Sequence, residues 1–315
     1  PSYNATVVEK MVNLGIIILG KLNYDEFGMG STNENSGYKI CKSPKNYLYS
    51  PGGSSGGCSS SVVSNLSLCS LGSDTGGSVR LPASYLNCLG YKPSYGTISR
   101  FGLISFSDSL DTIGMICKNI FDIFIILKII KGVDDNDLNT INKNIIFNVK
   151  NNNGYKILFP INYINFLSNN ILKNNFFFLV KKIKLLNIAK IFYSNFPFYL
   201  FFLYIYYINS SVEAYSNLSR YGNNQFSKVL NNSESNFFKN RSLFFGREVK
   251  KRILIGNYFL INKNGNKFYK KSFILKDVLF NFFLTLFKKI DFIFLPSIID
   301  FQLLLGEKSS KNCVY

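Results

Sequence analysis

The stretch from Pro51 to Ser84, PGGSSGGCSSSVVSNLSLCSLGSDTGGSVRLPAS, constrains this chain more than any other. Gly52-Gly53 precede Ser54-Ser55, and Gly56-Gly57 follow them. An apolar-rich run of strand length, Leu66 to Leu71, then leads into Gly72-Ser73-Asp74-Thr75-Gly76-Gly77-Ser78. Consecutive glycines open backbone conformations closed to other residues, so several main-chain N–H groups can converge on one point. A serine at the end of such a turn has the makings of a nucleophile beside its own oxyanion hole. Two flexible Gly/Ser linkers are the plainer alternative. Linkers, however, rarely flank a buried strand.

Composition narrows the classes. At 315 residues, 47% hydrophobic and 17% charged, the chain is globular in composition and long enough for one large α/β domain or two small ones. The formal charge of +18 invites a nucleic-acid or other anionic partner. Yet the lysines come as scattered doublets, Lys181-Lys182, Lys270-Lys271 and Lys288-Lys289, and the second half is crowded with Asn, Lys, Ile, Phe and Tyr. That is the composition of AT-rich coding rather than of a binding stripe. The chain contains no histidine, which excludes a Ser-His-Asp triad or Cys-His dyad built from these residues. Its six cysteines (Cys41, Cys58, Cys69, Cys88, Cys117, Cys313) show no C-x-x-C spacing and read as reduced thiols with no metal site. The opening residues carry no basic-then-apolar leader. Ile191 to Val212 is free of charge and long enough to span a bilayer, but Ser194, Asn195, Pro197 and Asn209 and its tyrosines favour a core helix, so no membrane is expected.

In chain order, Asn4-Ala5-Thr6 predicts an N-cap and helix ending at Gly15, and Ile16 to Leu19 a short buried strand. Asp25-Glu26 reads as a solvated turn or a structural ion pair rather than a metal or acid/base site. A short helix is expected from Arg80, an amphipathic one over Ile120 to Ile130 closed by Gly132, and a strand over Lys156 to Phe159. Residues 134–239 read as a diverged low-complexity insertion within a single domain of 315 residues. Helices return at Phe245 to Ile253 and Phe268 to Lys289, followed by a terminal strand, Phe292 to Leu295.

The segments GGSSGG and DTGGSVRLPAS resemble the amidase signature. Flanking stretches, GKLNYDEFGMGSTNENSGY, GYKPSYGTISRFGLISFSDSLDTIG, SSVEAYSNLSRY and FGREVKKRILIG, resemble one branch of that family, the glutaminase subunits of tRNA-dependent amidotransferases. The resemblance implies a three-layer α/β/α fold with a central mixed sheet, and a Ser-cis-Ser-Lys triad. In it Ser78 is the nucleophile and Ser54, after a cis Gly53–Ser54 bond, the bridging serine. The backbone amides of Thr75, Gly76, Gly77 and Ser78 form the oxyanion hole, each donor of which typically stabilises the transition state by about 2.7–4 kcal/mol. Tyr206 and Arg252 match positions that contact the glutamine, the arginine's planar fork suiting the α-carboxylate. A solvated helix charge is the alternative for Arg252.

The same resemblance places the catalytic lysine upstream of the residues matching Asn4-Ala5-Thr6, and the carboxylate that holds the glutamine amino group beyond Tyr315. The chain is thus expected to be truncated at both ends and to lack glutaminase activity as it stands. Implied partners are glutamine, a B-subunit that binds the tRNA and uses ATP and magnesium, and a small C-subunit. This chain itself is expected to need no cofactor and no metal. Its implied work is ammonia supply for converting Glu-tRNA(Gln) to Gln-tRNA(Gln), in a bacterial-type cytoplasm or an organelle of bacterial origin. The rivals are an amidase of a free small amide and a catalytically dead remnant. The residues do not separate glutamine from asparagine as donor, or Glu-tRNA from Asp-tRNA as acceptor.

Overall fold

The computed structural model describes residues 3–142, 154–196, 199–221 and 243–307. It has an α/β architecture divided into two compact units. One comprises Pro1–Lys143, Tyr207–Phe268 and Gln302–Tyr315, the other Asn144–Tyr206 and Tyr269–Phe301.

In the first unit, helix α1 (Thr6–Asn13) precedes α2 (Gly56–Val63), strand β1 (Cys69–Asp74), α3 (Arg80–Leu86), β2 (Leu89–Tyr91), β3 (Thr112–Cys117) and α4 (Ile120–Ile130). β3 lies between β1 and β2 and pairs antiparallel with both, with Asp74 opposite Thr112 and Leu89 opposite Cys117. Every residue of β3 is buried, as a central strand covered on both faces requires. Cys58 and Val62 of α2, Val79, Ala83 of α3 and Ile116 of β3 form the core beside the glycine-serine loops. α4 has the expected bounds, with Asn119 capping its first turn through the Phe121 amide.

Three local expectations need correction. Ile16 to Leu19 is not a strand but irregular and exposed, Ile17 at 81% and Leu19 at 73%; no strand among the described residues pairs with it. The strand expected from Leu66 begins only at Cys69, with Leu66 and Leu68 exposed, because the buried side of the ladder is set by the pairing with β3. No side chain caps α1; the Thr6 hydroxyl donates to Asp134 instead.

The second unit contains β4 (Tyr155–Pro160), α5 (Ile161–Ile164), α6 (Asn170–Leu185), β5 (Ala189–Ser194) and β6 (Phe292–Ile293). β4 lies between β5 and β6 and is parallel to both. Parallel neighbours need a crossover, and α6 supplies the one from β4 to β5. Phe159, Phe176, Ile164, Leu167 and Val180 form the core, with Phe294 packed on it.

Three long helices complete the chain: α7 (Tyr199–Leu218), α8 (Arg247–Ile261) and α9 (Lys263–Phe287). The charge-free run Ile191 to Val212 divides between β5 and α7, and among the described residues no helix is long and apolar enough to cross a membrane. Cys41, Cys58, Cys69, Cys88 and Cys117 are free thiols, and Cys313 lies outside the described residues.

Candidate active site

The site grows from the two loops that open α2 and α3. The Ser55 amide donates to the Ser78 carbonyl at 3.1 Å. That bond sets the first loop against the second and brings Ser54, the preceding residue, to the turn that carries Ser78. The peptide bond Gly53–Ser54 is cis. Glycine is required at 53 by crowding: a Cβ there would collide with the Asp25 carboxylate, the Asn33 amide and the Ser31 backbone.

Asp25 explains that crowding, and it is not a solvated turn residue. It is 1% exposed, and its carboxylate accepts from the amides of Asn33 (3.1 Å) and Asn35 (2.9 Å). Its own amide donates to the Ser54 carbonyl at 3.2 Å, and the Asn33 side chain donates to the same oxygen at 2.9 Å. Its neighbour Glu26 accepts the Gly246 amide at 2.7 Å. A buried carboxylate that receives main-chain donors is satisfied without a cation.

The two adjacent serines have different fates. Ser55 belongs to a closed ring of hydrogen bonds. The Ser73 amide donates to the Tyr24 oxygen (2.6 Å), the Tyr24 hydroxyl donates to the Ser55 oxygen (2.5 Å), and the Ser55 hydroxyl donates to the Ser73 carbonyl (3.3 Å). Burial, followed by the neighbouring Cys58 thiol, holds the Tyr24 phenol well above its ordinary pKa, so it stays protonated and able to donate. The Ser54 hydroxyl is fully buried and has no hydrogen-bond partner among the described residues. Such a group costs stability unless something outside the folded chain completes it.

Asp74 builds the second loop. Its Oδ1 accepts the Gly77 amide at 2.7 Å and its Oδ2 the Val79 amide at 3.1 Å, while Arg80 grips both oxygens at 3.0 and 2.9 Å. Burial alone would raise the pKa of this carboxyl, but the bonds and charge of Arg80 and the two amides outweigh it and hold it low. Gly77 sits at φ +126°, a conformation that favours glycine. The four-amide oxyanion hole is corrected at one member: the Gly77 amide is already committed to Asp74. The amides of Thr75, Gly76 and Ser78 have no acceptor among the described residues, so they remain available to an anion. Thr75 is anchored from behind, its hydroxyl donating to Asp111 at 2.6 Å.

Arg252 is 5% exposed rather than a solvated helix charge. Its Nε donates to Glu248 at 3.2 Å, Nη1 donates to the Ser210 hydroxyl at 3.4 Å, and the guanidinium lies 4.2 Å from the Tyr207 ring centroid. Its planar guanidinium is of the kind that pairs with both oxygens of a carboxylate. Tyr206 is half-buried on α7. Its neighbour Tyr207, which the sequence did not single out, is the tyrosine stacked on Arg252, and the adjacent YY pair was the available signal. Among the lysines, burial pulls Lys92 below its ordinary pKa despite the charge of Asp74, but its amine donates to the Pro93 carbonyl (3.2 Å), and the structure records no bond to either serine.

Two glycine-serine loops are thus joined by a main-chain bond, with a buried serine on one and, on the other, amides without an acceptor among the described residues. The chain matches the amidase family over residues 1–315 and belongs to it. It is 38% identical to the glutamyl-tRNA(Gln) amidotransferase A-subunit of Ruminiclostridium cellulolyticum, covering 98% of this chain and 65% of that protein. To the protein of the same name from Bacillus pumilus it is also 38% identical, with the same coverage. The crystal structure of the glutamyl-tRNA(Gln) amidotransferase A-subunit from Thermotoga maritima superposes with a TM-score of 0.79 at 32% identity, covering 97% of this chain and 63% of that one. The chain thus spans slightly under two thirds of the length of the curated relatives it matches.

Proposed function

We propose that this chain is the glutaminase component of a tRNA-dependent amidotransferase. It would release ammonia from glutamine for the conversion of Glu-tRNA(Gln) to Gln-tRNA(Gln). The observation that carries the proposal is the buried, unpartnered Ser54 hydroxyl on a loop bonded to the Ser78 turn. The similarity to A-subunit proteins selects this branch over an amidase of a free small amide.

In this mechanism Ser78 Oγ attacks the side-chain amide carbon of glutamine. Its proton passes to Ser54, and the Ser54 proton passes on to an unprotonated lysine amine. The amides of Thr75, Gly76 and Ser78 receive the oxyanion. The C–N bond breaks, and the leaving nitrogen takes the proton back and departs as ammonia. Water then attacks the Ser78 ester, giving glutamate and free enzyme. Arg252 pairs with the glutamine α-carboxylate, and Tyr206 is the second residue assigned to the glutamine. ATP and magnesium act at the B-subunit, which holds the tRNA, and the C-subunit accompanies the pair; the compartment is a bacterial-type cytoplasm or an organelle derived from one.

The test is glutamine-dependent ammonia release by the protein in the form that carries the catalytic lysine, purified with its partners. Ser78→Ala abolishes release, and Ser54→Ala lowers it by about a thousandfold or more, the scale of losing a proton-transfer group. Undiminished release from either variant refutes the proposal.

A further inference from the structure

Helix α7 carries three polar side chains at helical spacing, Ser210, Glu213 and Asn217, and all three bond other segments of the first unit. The Ser210 hydroxyl accepts Arg252. Glu213 grips the segment 106–111: its Oε2 accepts the Ser107 hydroxyl (2.7 Å) and the Ser109 amide (2.9 Å), and its Oε1 accepts the Ser109 hydroxyl (2.6 Å). Asn217 donates to the Phe106 carbonyl at 3.3 Å. The clamped segment ends at Asp111, 3% exposed, whose Oδ2 accepts the amides of Phe106 and Ser107, both at 2.8 Å. The other oxygen, Oδ1, accepts the Thr75 hydroxyl. Thr75 opens the turn that runs to Ser78.

We propose that Glu213 and Asp111 are positioning residues that tie α7 to the oxyanion turn through a continuous chain of charge-assisted hydrogen bonds. The inference rests on the glutaminase reading for its purpose. The same helix that fixes Arg252 through Ser210 also fixes, two contacts further on, the threonine at the mouth of the hole. A glutamine held by Arg252 is thereby registered against the amides that must receive its oxyanion, which matters because small misplacements of a reacting group cost large factors in rate. Each link is a carboxylate accepting from an N–H or O–H donor, the stronger class of hydrogen bond. The route needs no side chain outside the first unit.

The Gly77 and Val79 amides, bonded inside the turn, report its rigidity by hydrogen exchange in the purified protein. Glu213→Ala and Thr75→Val each speed their exchange by about tenfold, the effect of losing roughly 1.4 kcal/mol of local protection, while exchange in β4 and β5 is unchanged. Thr75→Ser, which keeps the donor, restores the slow rate, a recovery that a packing role for the threonine methyl would not give. Should Glu213→Ala fail to fold, Ser109→Ala removes one of its contacts from the other side and gives the same local effect. Unaltered exchange at Gly77 and Val79 in folded Glu213→Ala or Ser109→Ala overturns the proposal. In the ammonia assay, Glu213→Ala lowers kcat about tenfold with KM unchanged, as expected when only the transition state loses support. A protein that carries the catalytic lysine and still releases no ammonia breaks the glutaminase reading, while the exchange result still decides the coupling.

Discussion

The loops around Ser54 and Ser78 and the parallel-sheet unit bury their interiors by opposite means. Around the loops the buried groups are polar: Asp25, Asn33, Ser50, Ser54, Ser55 and Asp74 are all at most 1% exposed. Almost every one has an assigned partner, down to the Gly52 amide that donates to the Ser50 hydroxyl. The parallel-sheet unit is held by rings: Phe159 packs against Phe176 at 5.8 Å and Phe294 at 5.2 Å between centroids, and Phe196 against Phe283 at 5.7 Å. An apolar core accepts many sequences of similar volume, whereas a polar one fails when a single partner is lost. Drift toward Phe, Ile and Asn can therefore accumulate in one region while the glycines, serines and aspartates of the other stay in place.

The largest expected effect breaks the aromatic region. Phe159 is fully buried, so Phe159→Ala removes a large side chain and leaves a cavity, costing about 3–5 kcal/mol. Urea unfolding followed by exchange of the β4 and β5 amides measures it. A cost below about 1 kcal/mol would mean that this core is not packed as described.

Next is Asp74, which organises the polar region. Asp74→Asn strips the Gly77 and Val79 amides of a charged acceptor, at a cost of about 2–3 kcal/mol. Arg80 adds little to that figure, since its side chain is 49% exposed and solvent screens the pair. The carboxyl's pKa is lowered in the fold, so its contribution is complete above its ordinary value of 3.8 and is lost as pH falls through the folded value. Wild-type urea midpoints should drop between about pH 5 and pH 2, and Asp74→Asn should drop less over the same range. Parallel curves for the two proteins would show that Asp74 is not the titrating anchor of the turn.

Which of these features were legible in the sequence follows from how local their causes are. The helix Ile120–Ile130 was legible because its cap, apolar face and closing glycine are all written in or beside it. Ile16 to Leu19 misled because an apolar run promises a strand only where a neighbour supplies hydrogen bonds, and that neighbour is not local. The glycine pairs around Ser54 and Ser78 marked the site plainly, since few other structures need so many glycines so close together. The burial of Asp25 was hidden, because the amides that satisfy it belong to Asn33 and Asn35, beyond a turn whose shape no pattern announces. Glu213 was half visible: Ser210, Glu213 and Asn217 make a polar stripe at helical spacing within an apolar helix, but what Glu213 and Asn217 grip lies about a hundred residues earlier.

The smallest expected effect makes the sharpest comparison, because it sets two adjacent serines against each other. Ser55→Ala breaks the ring through Tyr24 and Ser73 and leaves a buried phenol O–H without its Ser55 acceptor, costing about 1–2 kcal/mol. Ser54→Ala removes a hydroxyl that the folded chain does not satisfy, so stability should stay within about 0.5 kcal/mol of wild type or rise. The two substitutions delete the same atom from equally buried positions one residue apart, so burial and helix propensity cannot separate them. Only the allocation of hydrogen bonds can. Thermal melts of both variants decide the matter: equal losses would mean that Ser54 is as structural as its neighbour, and the case for it as a proton carrier would go with that result.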